Sequence, residues 1–357
     1  MPILHTESSN GWGGQEIRIL KEAIGLRSRG HEIIFAVTCG GKLVDQAKKA
    51  GFTVYEIKFH RSKAFSALRA LLKIIRKHKI DVVNTHSSLD SWLGGLAGKI
   101  TQCKVIRTRH LSTAVRGGLN AFLLYRCLAD FIVTTSSAII PKIAELACLP
   151  VSRFKCIPTG VEPFQVDGKR VQEFRDKLGI KKDDILIGTV CVVRSWKGIQ
   201  DLIEAARLLK GYPHLKWVVV GGGYLENFRH LVDESTPLVF TGHLDDPYTA
   251  LAALDIFTLL STAHEGISQA SLQAAYLKKP LVTTTIGGLP EVCLDGVTGI
   301  LVPPSSPEKV AEAVLRLADD LQLRKGYGDA AAKLVEDKFM LKHTLDQMEQ
   351  VFLITSS

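Results

Sequence analysis

The chain has 357 residues, of which 46% are hydrophobic and 23% are charged, as is typical of a soluble protein with two domains. No segment reaches the roughly 18 uninterrupted apolar residues that a membrane span requires, and the first residues do not resemble a signal peptide. The seven cysteines are scattered and include no CxxC pair. We therefore expect reduced thiols in a cytoplasm, and neither disulfide bonds nor a zinc site.

The charge is distributed unevenly along the chain. Residues 1–163 carry 24 Lys and Arg against 11 Asp and Glu, a net charge of +13, whereas residues 164–357 carry 21 against 25. A strongly basic first half predicts an anionic partner, such as nucleic acid, an anionic membrane surface or a phosphorylated substrate. Nucleic acid is the weakest of these interpretations, because no recognised nucleic-acid-binding module accompanies the charge.

The chain begins with a predicted strand at residues 3–6, a glycine-rich turn at Asn10–Gly14 and a helix from about Gln15 to Arg29. The helix ends at a basic last turn followed by Gly30, a common C-terminal signal. A strand, a glycine turn and a helix in this order often hold a phosphate group. The same glycines also permit tight packing, so this pattern leaves both interpretations open.

Five further strands are predicted in the first half, at Glu32–Cys39, Thr53–Ile57, Asp81–Thr85, Lys104–Thr108 and Phe131–Thr135. Helical patterns lie between them, and the alternation predicts a parallel sheet wound with helices. Ligands of such domains bind at the carboxyl ends of the strands. Polar residues gather at two of these ends, and they are His86, Ser87, Arg107, Arg109 and His110.

The helix predicted from about Ala64 to Lys79 has two unlike faces. Leucine and isoleucine form the apolar face, and the other carries Arg69, Lys73, Arg76 and Lys77. One interpretation is an ordinary solvent-exposed face of a Rossmann-like domain. The other is a patch that touches anionic lipid headgroups, to which each basic residue near the surface adds about 1 kcal/mol.

The second half begins, after a stretch at Pro158–Val161, with the predicted strand Ile185–Val193. Arg194 and Lys197 follow this strand, and two cations at the carboxyl end of a strand indicate a phosphate site.

Two more strands, at residues 215–220 and 238–241, run into the glycine turns Gly221–Gly223 and Gly242-His243. A nucleotide can lie against the bare backbone of such turns.

The stretch from Ser261 to Val292 predicts half of a nucleotide-binding domain. It contains a loop, a helix that Ser268 can cap, a strand, the turn Gly287-Gly288 and a short helix. The two helix N-termini fall on one edge of the sheet, where their free N–H groups suit an anionic diphosphate. Gln273 lies on the apolar stripe of the first helix, where a buried amide must find a hydrogen-bond partner or cost about 1–3 kcal/mol.

This stretch resembles the signature of the retaining glycosyltransferases of family 4, the group 1 transferases of GT-B fold. In that family two glutamates precede a Gly-Gly turn and a Pro-Glu pair, which Gly287-Gly288 and Pro290-Glu291 match here. Glu265 stands at the position of the first glutamate. Gln273 stands where the second is usual, and the resemblance implies a neutral and weaker contact with the donor ribose.

The resemblance implies an α/β protein of GT-B architecture, in which two Rossmann-like domains face an interdomain cleft. Pro158–Val161 is similar to the Pro-Asn-Gly-Val stretch that ends the first domain in the family. We therefore expect an acceptor-binding domain at residues 1–163 and a nucleotide-sugar-binding domain at residues 164–340. A C-terminal helix within residues 341–357 is expected to cross back and pack on the N-terminal domain.

The resemblance also implies roles for individual residues. His110 and Glu265 are the expected catalytic residues, which orient the sugar and stabilise charge in an oxocarbenium-like transition state. The expected contacts of the donor diphosphate are Arg194, Lys197, Gly13 and Gly14. The expected contacts of the donor nucleotide and sugar are Gly222, His243, Gly266, Ile267, Ser268 and Gln273. The residues expected to meet the acceptor are His86, Arg109 and Arg116.

The predicted function is transfer of a sugar, with retention, from a nucleoside-diphosphate sugar to a lipid-linked or lipopolysaccharide-type glycan. No D-x-D motif occurs in a plausible metal-binding loop, so we expect no metal ion and no other cofactor. The expected location is the cytoplasmic face of the inner membrane, with peripheral attachment to anionic lipid and no nucleic-acid partner. The alternatives are a nucleotide-sugar epimerase of the same fold and a non-catalytic protein that binds a sugar nucleotide or a polyanion.

Overall fold

The computed structural model of the chain describes residues 1–110, 115, 117–233 and 236–354. The chain forms two compact units. The first contains Met1–Gly160 together with the chain from Leu341 onward, and the second is Val161–Met340. The first unit therefore ends at Gly160 rather than at residue 163.

Seven parallel strands form the sheet of the first unit, in the order β3-β2-β1-β4-β5-β6-β7. Their bounds are β1 Pro2–Glu7, β2 Glu32–Thr38, β3 Thr53–Ile57, β4 Val82–Thr85, β5 Lys104–Arg109, β6 Phe131–Thr134 and β7 Phe154–Cys156. The side chains of the central strands β1 and β4 are nearly all buried, as in sheets that helices cover on both faces. The six strands predicted in this half are present, and β7 is an additional strand at the sheet edge.

The helices between these strands are α1 Gly14–Ser28, α2 Lys42–Lys49, α3 Ala64–His78, α4 Ser88–Thr101, α5 Leu119–Ala121 and α6 Ile140–Ala147. A 3-10 turn, Arg61–Lys63, leads into α3, and a π-helical segment, Phe122–Cys127, follows α5. The two faces predicted for α3 are confirmed. Its buried residues are Ala67, Leu71, Ile74 and Ile75, and its exposed basic residues are Arg69, Lys73, Arg76 and Lys77.

Six parallel strands form the sheet of the second unit, in the order β10-β9-β8-β11-β12-β13. Their bounds are β8 Ile185–Val190, β9 Leu215–Val220, β10 Leu238–Gly242, β11 Ile256–Leu259, β12 Leu281–Thr284 and β13 Gly299–Val302. The helices are α7 Gly168–Lys177, α8 Ile199–Leu208, α9 Glu226–Arg229, α10 Pro247–Ala253, α11 Gln269–Tyr276, α12 Pro307–Asp319 and α13 Leu321–Lys338.

Helix α11 corrects the prediction about Gln273. Ser268 caps this helix as predicted, because its Oγ accepts the backbone N–H of Ser271 at 3.3 Å. The buried face of the helix is formed by Ser271, Leu272, Ala274 and Ala275. Since each residue turns by about 100° around the axis, Gln273 lies opposite the centre of that face and is only half-buried. The prediction of a buried amide on the apolar stripe is therefore wrong.

The last helix, α14 Leu341–Ile354, packs within the first unit although it follows the second in sequence. Arg29, at the end of α1, forms ion pairs with Asp346 at 2.7 Å and with Glu349 at 3.0 Å. The residues of α14 that join the core of the first unit are Leu345, Met348, Val351 and Phe352.

Candidate active site

Five loops meet at the carboxyl edge of the second sheet, after β8, β9, β10, β11 and β12. Backbone hydrogen bonds hold some of them together, as Val193 N–H donates to Gly222 O at 2.8 Å and Gly221 N–H donates to Gly242 O at 2.9 Å. The site residues predicted in this unit lie on these loops or on α11, and they are Arg194, Lys197, Gly222, His243, Glu265, Gly266, Ile267, Ser268 and Gln273.

A buried ion pair joins two of these residues. Lys197 Nζ contacts Glu265 Oε1, and Ser261 Oγ donates to the same oxygen at 2.7 Å. The side chain of Glu265 is 7% exposed and that of Lys197 is 17% exposed, so each charge depends on the other for compensation. The resemblance assigns Lys197 to the diphosphate and Glu265 to the sugar, and the structure places the two side chains in contact.

Two glycines allow the loops around this pair to approach closely. Gly287 has a φ of +58°, and a Cβ there would lie 1.9 Å from Glu265 O. Gly198 has a φ of +66°, and a Cβ there would lie 1.9 Å from Leu260 O. A larger residue at either position would separate the loop that carries Glu265 from its neighbours.

Arg194 precedes Lys197 on the same loop and is half-buried. Its guanidinium lies 4.9 Å from the centroid of the Tyr224 ring, a cation–π distance. Tyr224 is thus a further residue of this edge, which the sequence marks only by its place after a glycine turn. His243 is exposed, and a Cβ at Gly222 would lie 3.4 Å from its Cβ, so these two predicted contacts adjoin each other.

The start of α11 lies under the second glycine turn. A Cβ at Gly288 would lie 2.8 Å from Gly266 C and 2.8 Å from Ile267 N, so the turn packs directly on the backbone before the helix. Gln273 is on the same helix, and its amide forms no hydrogen bond with any residue that the structure describes. That amide is therefore available to a ligand.

Three histidines form a hydrogen-bonded chain in the first unit. His5 Nδ1 lies 2.9 Å from His86 Nε2, and His86 Nδ1 lies 2.9 Å from His110 Nε2. His5 lies within β1, His86 directly follows β4 and His110 directly follows β5, and these three strands are neighbours in the sheet. The sequence predicts His86 and His110 as site residues but not His5, because a histidine inside an apolar strand belongs to no motif.

These histidines are held in the neutral state. Burial lowers the pKa of His5 to about 3, and burial is also the main cause that holds the pKa values of His86 and His110 well below the usual value. A neutral imidazole has one N–H and one acceptor nitrogen. The two hydrogen bonds must therefore point in the same direction along the chain, so the tautomer of His110 is coupled to that of His5.

Two carboxylates beside the histidine chain, Glu7 and Asp90, are not predicted from the sequence. Glu7 ends β1, accepts the N–H of Ser9 at 2.7 Å and accepts Gln15 Nε2 at 2.5 Å. Burial, followed by the charge of Asp90, raises the pKa of Glu7 to about 7. Asp90 is itself buried and accepts the backbone N–H of His86 at 2.9 Å, which fixes the turn that carries this histidine.

The glycine turn before α1 remains open to a ligand. Gly13 N–H donates to Glu16 Oε2 at 2.9 Å, so one of the first amide groups of the helix is already bonded. A Cβ built at Gly14 would meet no atom within 4 Å. Packing within the first unit therefore does not require a glycine at this position.

Three arginines line a cavity of about 630 Å³ in the first unit, and they are Arg61, Arg107 and Arg109. Trp92 and Tyr125 form part of the same wall. A second space of about 230 Å³ shares Arg107 and Arg109 and extends to the side chains of His86 and His110.

The structure places His86 and Arg109 at one space together with Arg107, and Arg61 lines the larger cavity that shares the two arginines. Arg116, the third predicted acceptor residue, lies outside the described residues. In the described ranges, no group of three or more His, Cys, Asp or Glu side chains is placed to hold a metal ion. No described helix is both long enough and apolar enough to span a bilayer.

Two family models match the chain. The model described as Glycosyltransferase Family 4 matches residues 12–164, and the model described as Glycosyl transferases group 1 matches residues 184–320. The two matches fall on the first and second sheets respectively.

Curated relatives match over most of their length. The capsular polysaccharide biosynthesis glycosyltransferase CapM of Staphylococcus aureus is 28% identical over 81% of each chain. The N-acetyl-alpha-D-glucosaminyl L-malate synthase of Bacillus anthracis is 22% identical over 92% of this chain and 90% of that protein.

Solved structures match the fold over nearly the whole chain. HepE of Anabaena, crystallised in complex with UDP, has a TM-score of 0.87 at 19% identity and covers 98% of this chain and 99% of its own. A glycosyltransferase from Rickettsia africae has a TM-score of 0.89 at 23% identity and covers 99% of this chain and 98% of its own. With both sheets matched by family models and the fold shared with GT-B glycosyltransferases, this chain belongs to the family 4, or group 1, glycosyltransferases.

Proposed function

We propose that the second unit holds a nucleoside-diphosphate sugar, that the first unit holds a glycan or glycolipid acceptor, and that the sugar is transferred with retention of its anomeric configuration. The observation that carries this proposal is the buried Lys197–Glu265 pair at the carboxyl edge of the second sheet. In a glycosyltransferase, a cation and a carboxylate at this edge suit a diphosphate and a sugar respectively.

The pair also suggests how the donor is accepted. An arriving diphosphate competes with Glu265 for Lys197, and Arg194 adds a second cation. Once Lys197 has turned to phosphate, the Glu265 carboxylate is free to accept hydrogen bonds from hydroxyl groups of the sugar. Lys197 and Arg194 neutralise the charge of the diphosphate, as a metal ion does in other enzymes. We therefore propose a metal-independent reaction.

The chemistry is a displacement on one face of the sugar. The acceptor hydroxyl attacks the anomeric carbon from the side on which the diphosphate departs, the bond from that carbon to the phosphate oxygen breaks, and the hydroxyl proton passes to that oxygen. Neutral His110 can donate or accept a hydrogen bond without adding charge beside the oxocarbenium-like centre. Its orientation is fixed through His86.

Relatives support an envelope glycan as the acceptor. CapM is named for capsular polysaccharide biosynthesis. An Escherichia coli relative, 24% identical over 82% of this chain and 80% of that protein, is named a UDP-Gal:alpha-D-GlcNAc-diphosphoundecaprenol galactosyltransferase. We extend to this chain a lipid-linked or lipopolysaccharide-type acceptor, reached at the cytoplasmic face of the membrane. The exposed basic face of α3 supports a peripheral contact with anionic lipid.

The test begins with thermal shifts against UDP-, GDP-, ADP- and CMP-sugars, since a bound ligand raises apparent stability. The donor found in this way is then incubated with envelope glycolipids, and the anomeric configuration of the product is read by NMR. We expect a retained anomer and the same rate in EDTA. An inverted product, or a rate that EDTA abolishes and Mg²⁺ restores, would contradict the proposal. Conversion of the donor sugar without an acceptor would instead identify an epimerase, and binding without turnover a non-catalytic protein.

A further inference from the structure

The cavity lined by Arg61, Arg107 and Arg109 has no Asp or Glu among its described lining residues, so nothing in its wall neutralises the three cations. Arg107 is its most buried cation, with 5% of the residue exposed. Its Nη1 donates to Ser87 O at 2.7 Å, and its guanidinium lies 5.5 Å from the centroid of the Tyr125 ring. Its Nε is buried and has no hydrogen-bond partner among the described residues. Its Nη2 also forms no hydrogen bond with any described residue, so this nitrogen remains available to an anion in the cavity.

Asp90 is the carboxylate that the charge of Arg107 affects, and its oxygens already accept hydrogen bonds from other residues. Arg107 stabilises the charged form of Asp90. However, the Asp90 carboxylate accepts four hydrogen bonds, none of them from Arg107, and the donors are Thr6 Oγ1, Ser8 Oγ, His86 N and Ser87 N. Asp90 therefore serves the turn of the histidine chain, and it leaves the cavity face of Arg107 open to another anion.

The second arginine, Arg109, is half-buried and lies close enough to Arg107 to feel its charge. Arg109 Nη1 donates to the Tyr125 hydroxyl at 2.9 Å. Burial lowers the pKa of Arg109, and the like charge of Arg107 contributes to the lowering. Two guanidinium groups held in one wall by a shared aromatic residue repel each other, and a divalent anion between them would reverse that cost.

Apolar side chains stand exposed beside the lining residues of this cavity. Phe65, 79% exposed, is the second residue of α3, which follows the turn that carries Arg61. Leu119, 71% exposed, and Phe122, 39% exposed, flank the lining residue Asn120. A cationic cavity with apolar neighbours suits a phosphate group that is attached to a larger, partly apolar molecule.

We infer that this cavity binds a phosphate group carried by the acceptor, with Arg107 as its main ligand and with Arg109 and Arg61 as further cations. This inference rests on the proposed function, because it identifies the ligand of the cavity with the acceptor. It adds that the acceptor is phosphorylated. The phosphate has two sources, a polyprenyl-type lipid phosphate or a phosphorylated sugar of the glycan. Both present the same oxygens to the same arginines.

The experiment measures binding of four soluble probes to the full chain by calorimetry. Geranyl diphosphate is compared with geraniol, and mannose 6-phosphate with mannose. We expect at least one phosphorylated probe to bind tenfold or more tightly than its neutral partner. Arg107→Met should remove at least tenfold of that affinity, which corresponds to about 1.4 kcal/mol for a lost charged hydrogen bond. A preference seen only with geranyl diphosphate assigns the phosphate to a lipid, and one seen only with mannose 6-phosphate assigns it to a sugar.

Three variants keep the result interpretable. Arg61 is exposed, so Arg61→Met should fold even where Arg107→Met does not. It should weaken binding of the phosphorylated probe severalfold. Lys49→Met removes one exposed positive charge of the same unit outside the cavity and should bind like the wild type. Lys197→Met removes a cation from the donor site, and it should leave phosphate binding unchanged.

Several results would overturn the inference. They are equal affinity for phosphorylated and neutral probes in the wild type, a preference that survives both arginine variants, and a preference that Lys197→Met abolishes. The proposed function is judged separately. Phosphate binding through Arg107 without transfer from any donor would refute the function and leave the cavity assigned. Normal transfer to a phosphorylated acceptor by both arginine variants would refute the inference alone.

Discussion

His86 Nδ1 lies 2.9 Å from His110 Nε2, and this contact links an expected catalytic residue to the interior of the first sheet. His86 bonds in turn to His5, whose position in the middle of β1 is fixed by the pairing of β1 with β2 and β4. The orientation of His110 therefore depends, through His86, on a residue inside a strand of the sheet. We treat His5 and His86 as positioning residues for His110.

The pH dependence of stability tests this buried chain. The pKa of His5 falls from 6.5 to about 3 on folding, so between these values the unfolded state binds one more proton than the folded state. The free energy of unfolding therefore decreases as the pH falls through this window, by up to about 1.4 kcal/mol per pH unit for this residue. We expect His5→Gln to remove that part of the slope in urea titrations between pH 6.5 and 4.5.

Glu7 has the opposite effect in the same window. Its pKa rises from 4.5 to about 7 on folding, so the folded state binds the extra proton and stability decreases as the pH rises. Comparing His5→Gln with the wild type cancels this contribution, because both contain Glu7. His214→Gln, at an exposed position, is the matched control and should keep the wild-type slope. Equal slopes for the wild type and His5→Gln would contradict a buried neutral His5.

Loss of Lys197 should damage both activity and stability. Lys197→Ala leaves the buried Glu265 carboxylate with the Ser261 hydroxyl as its one side-chain partner among the described residues, and an uncompensated buried charge costs about 3 kcal/mol. We expect transfer to fall about 100-fold or more, as for the loss of one electrostatic stabiliser. The double variant Lys197→Ala/Glu265→Gln should regain most of the stability in urea unfolding but none of the activity. If the double variant is as unstable as the single one, the ion pair is not the cause.

Restoring the usual glutamate at residue 273 should not harm the fold. Gln273 is half-buried and its side-chain amide forms no hydrogen bond with any described residue, so a carboxylate there breaks no side-chain hydrogen bond within α11. Calorimetry with the donor nucleotide should give equal or tighter binding for Gln273→Glu, because a carboxylate accepts hydroxyl hydrogen bonds more strongly. Gln273→Leu, which bonds nothing, should bind about two- to tenfold more weakly. A large loss in Gln273→Glu would instead show that the amide N–H donates to the donor.

The basic face of α3 should bind anionic membranes. With four exposed cations, the attraction amounts to about 4 kcal/mol at low salt and decays within about a Debye length. We expect the protein to sediment with vesicles that contain phosphatidylglycerol, but not with neutral vesicles, and to be released by high salt. Changing Arg69, Lys73, Arg76 and Lys77 together to Ser should weaken this binding markedly.

The matched control removes the same charge from exposed positions of the second unit, by changing Lys181, Lys182, Lys325 and Lys338 to Ser. It should sediment like the wild type. Equal sedimentation of the two quadruple variants would show that α3 is only a solvated face and that net charge governs the contact.

The sequence predicts most strands and the loops that carry the donor contacts, because apolar runs, glycine turns and helix caps are local signals. The part of the site that it misses depends on contacts between distant residues. His5 gains its role from the strand order that places β1 beside β4, and Glu7 gains its raised pKa from burial near Asp90. Gln273 is an error of the opposite kind, because a local pattern predicts too much. The spacing of apolar residues predicts that Gln273 is buried, but the buried face of α11 lies on the other side of the helix.

The return of α14 to the first unit makes the second unit an insertion within it. The chain crosses between the units twice, and the two crossings run side by side, as Val161 N–H donates to Phe339 O at 2.8 Å and a Cβ at Gly160 would lie 2.4 Å from Leu341 Cα. During synthesis, the side chains of α1 that α14 covers stay exposed until all of Val161–Met340, and then α14 itself, has left the ribosome. We therefore expect the nascent first unit to be the one that engages chaperones, while the second unit folds as soon as its own residues emerge.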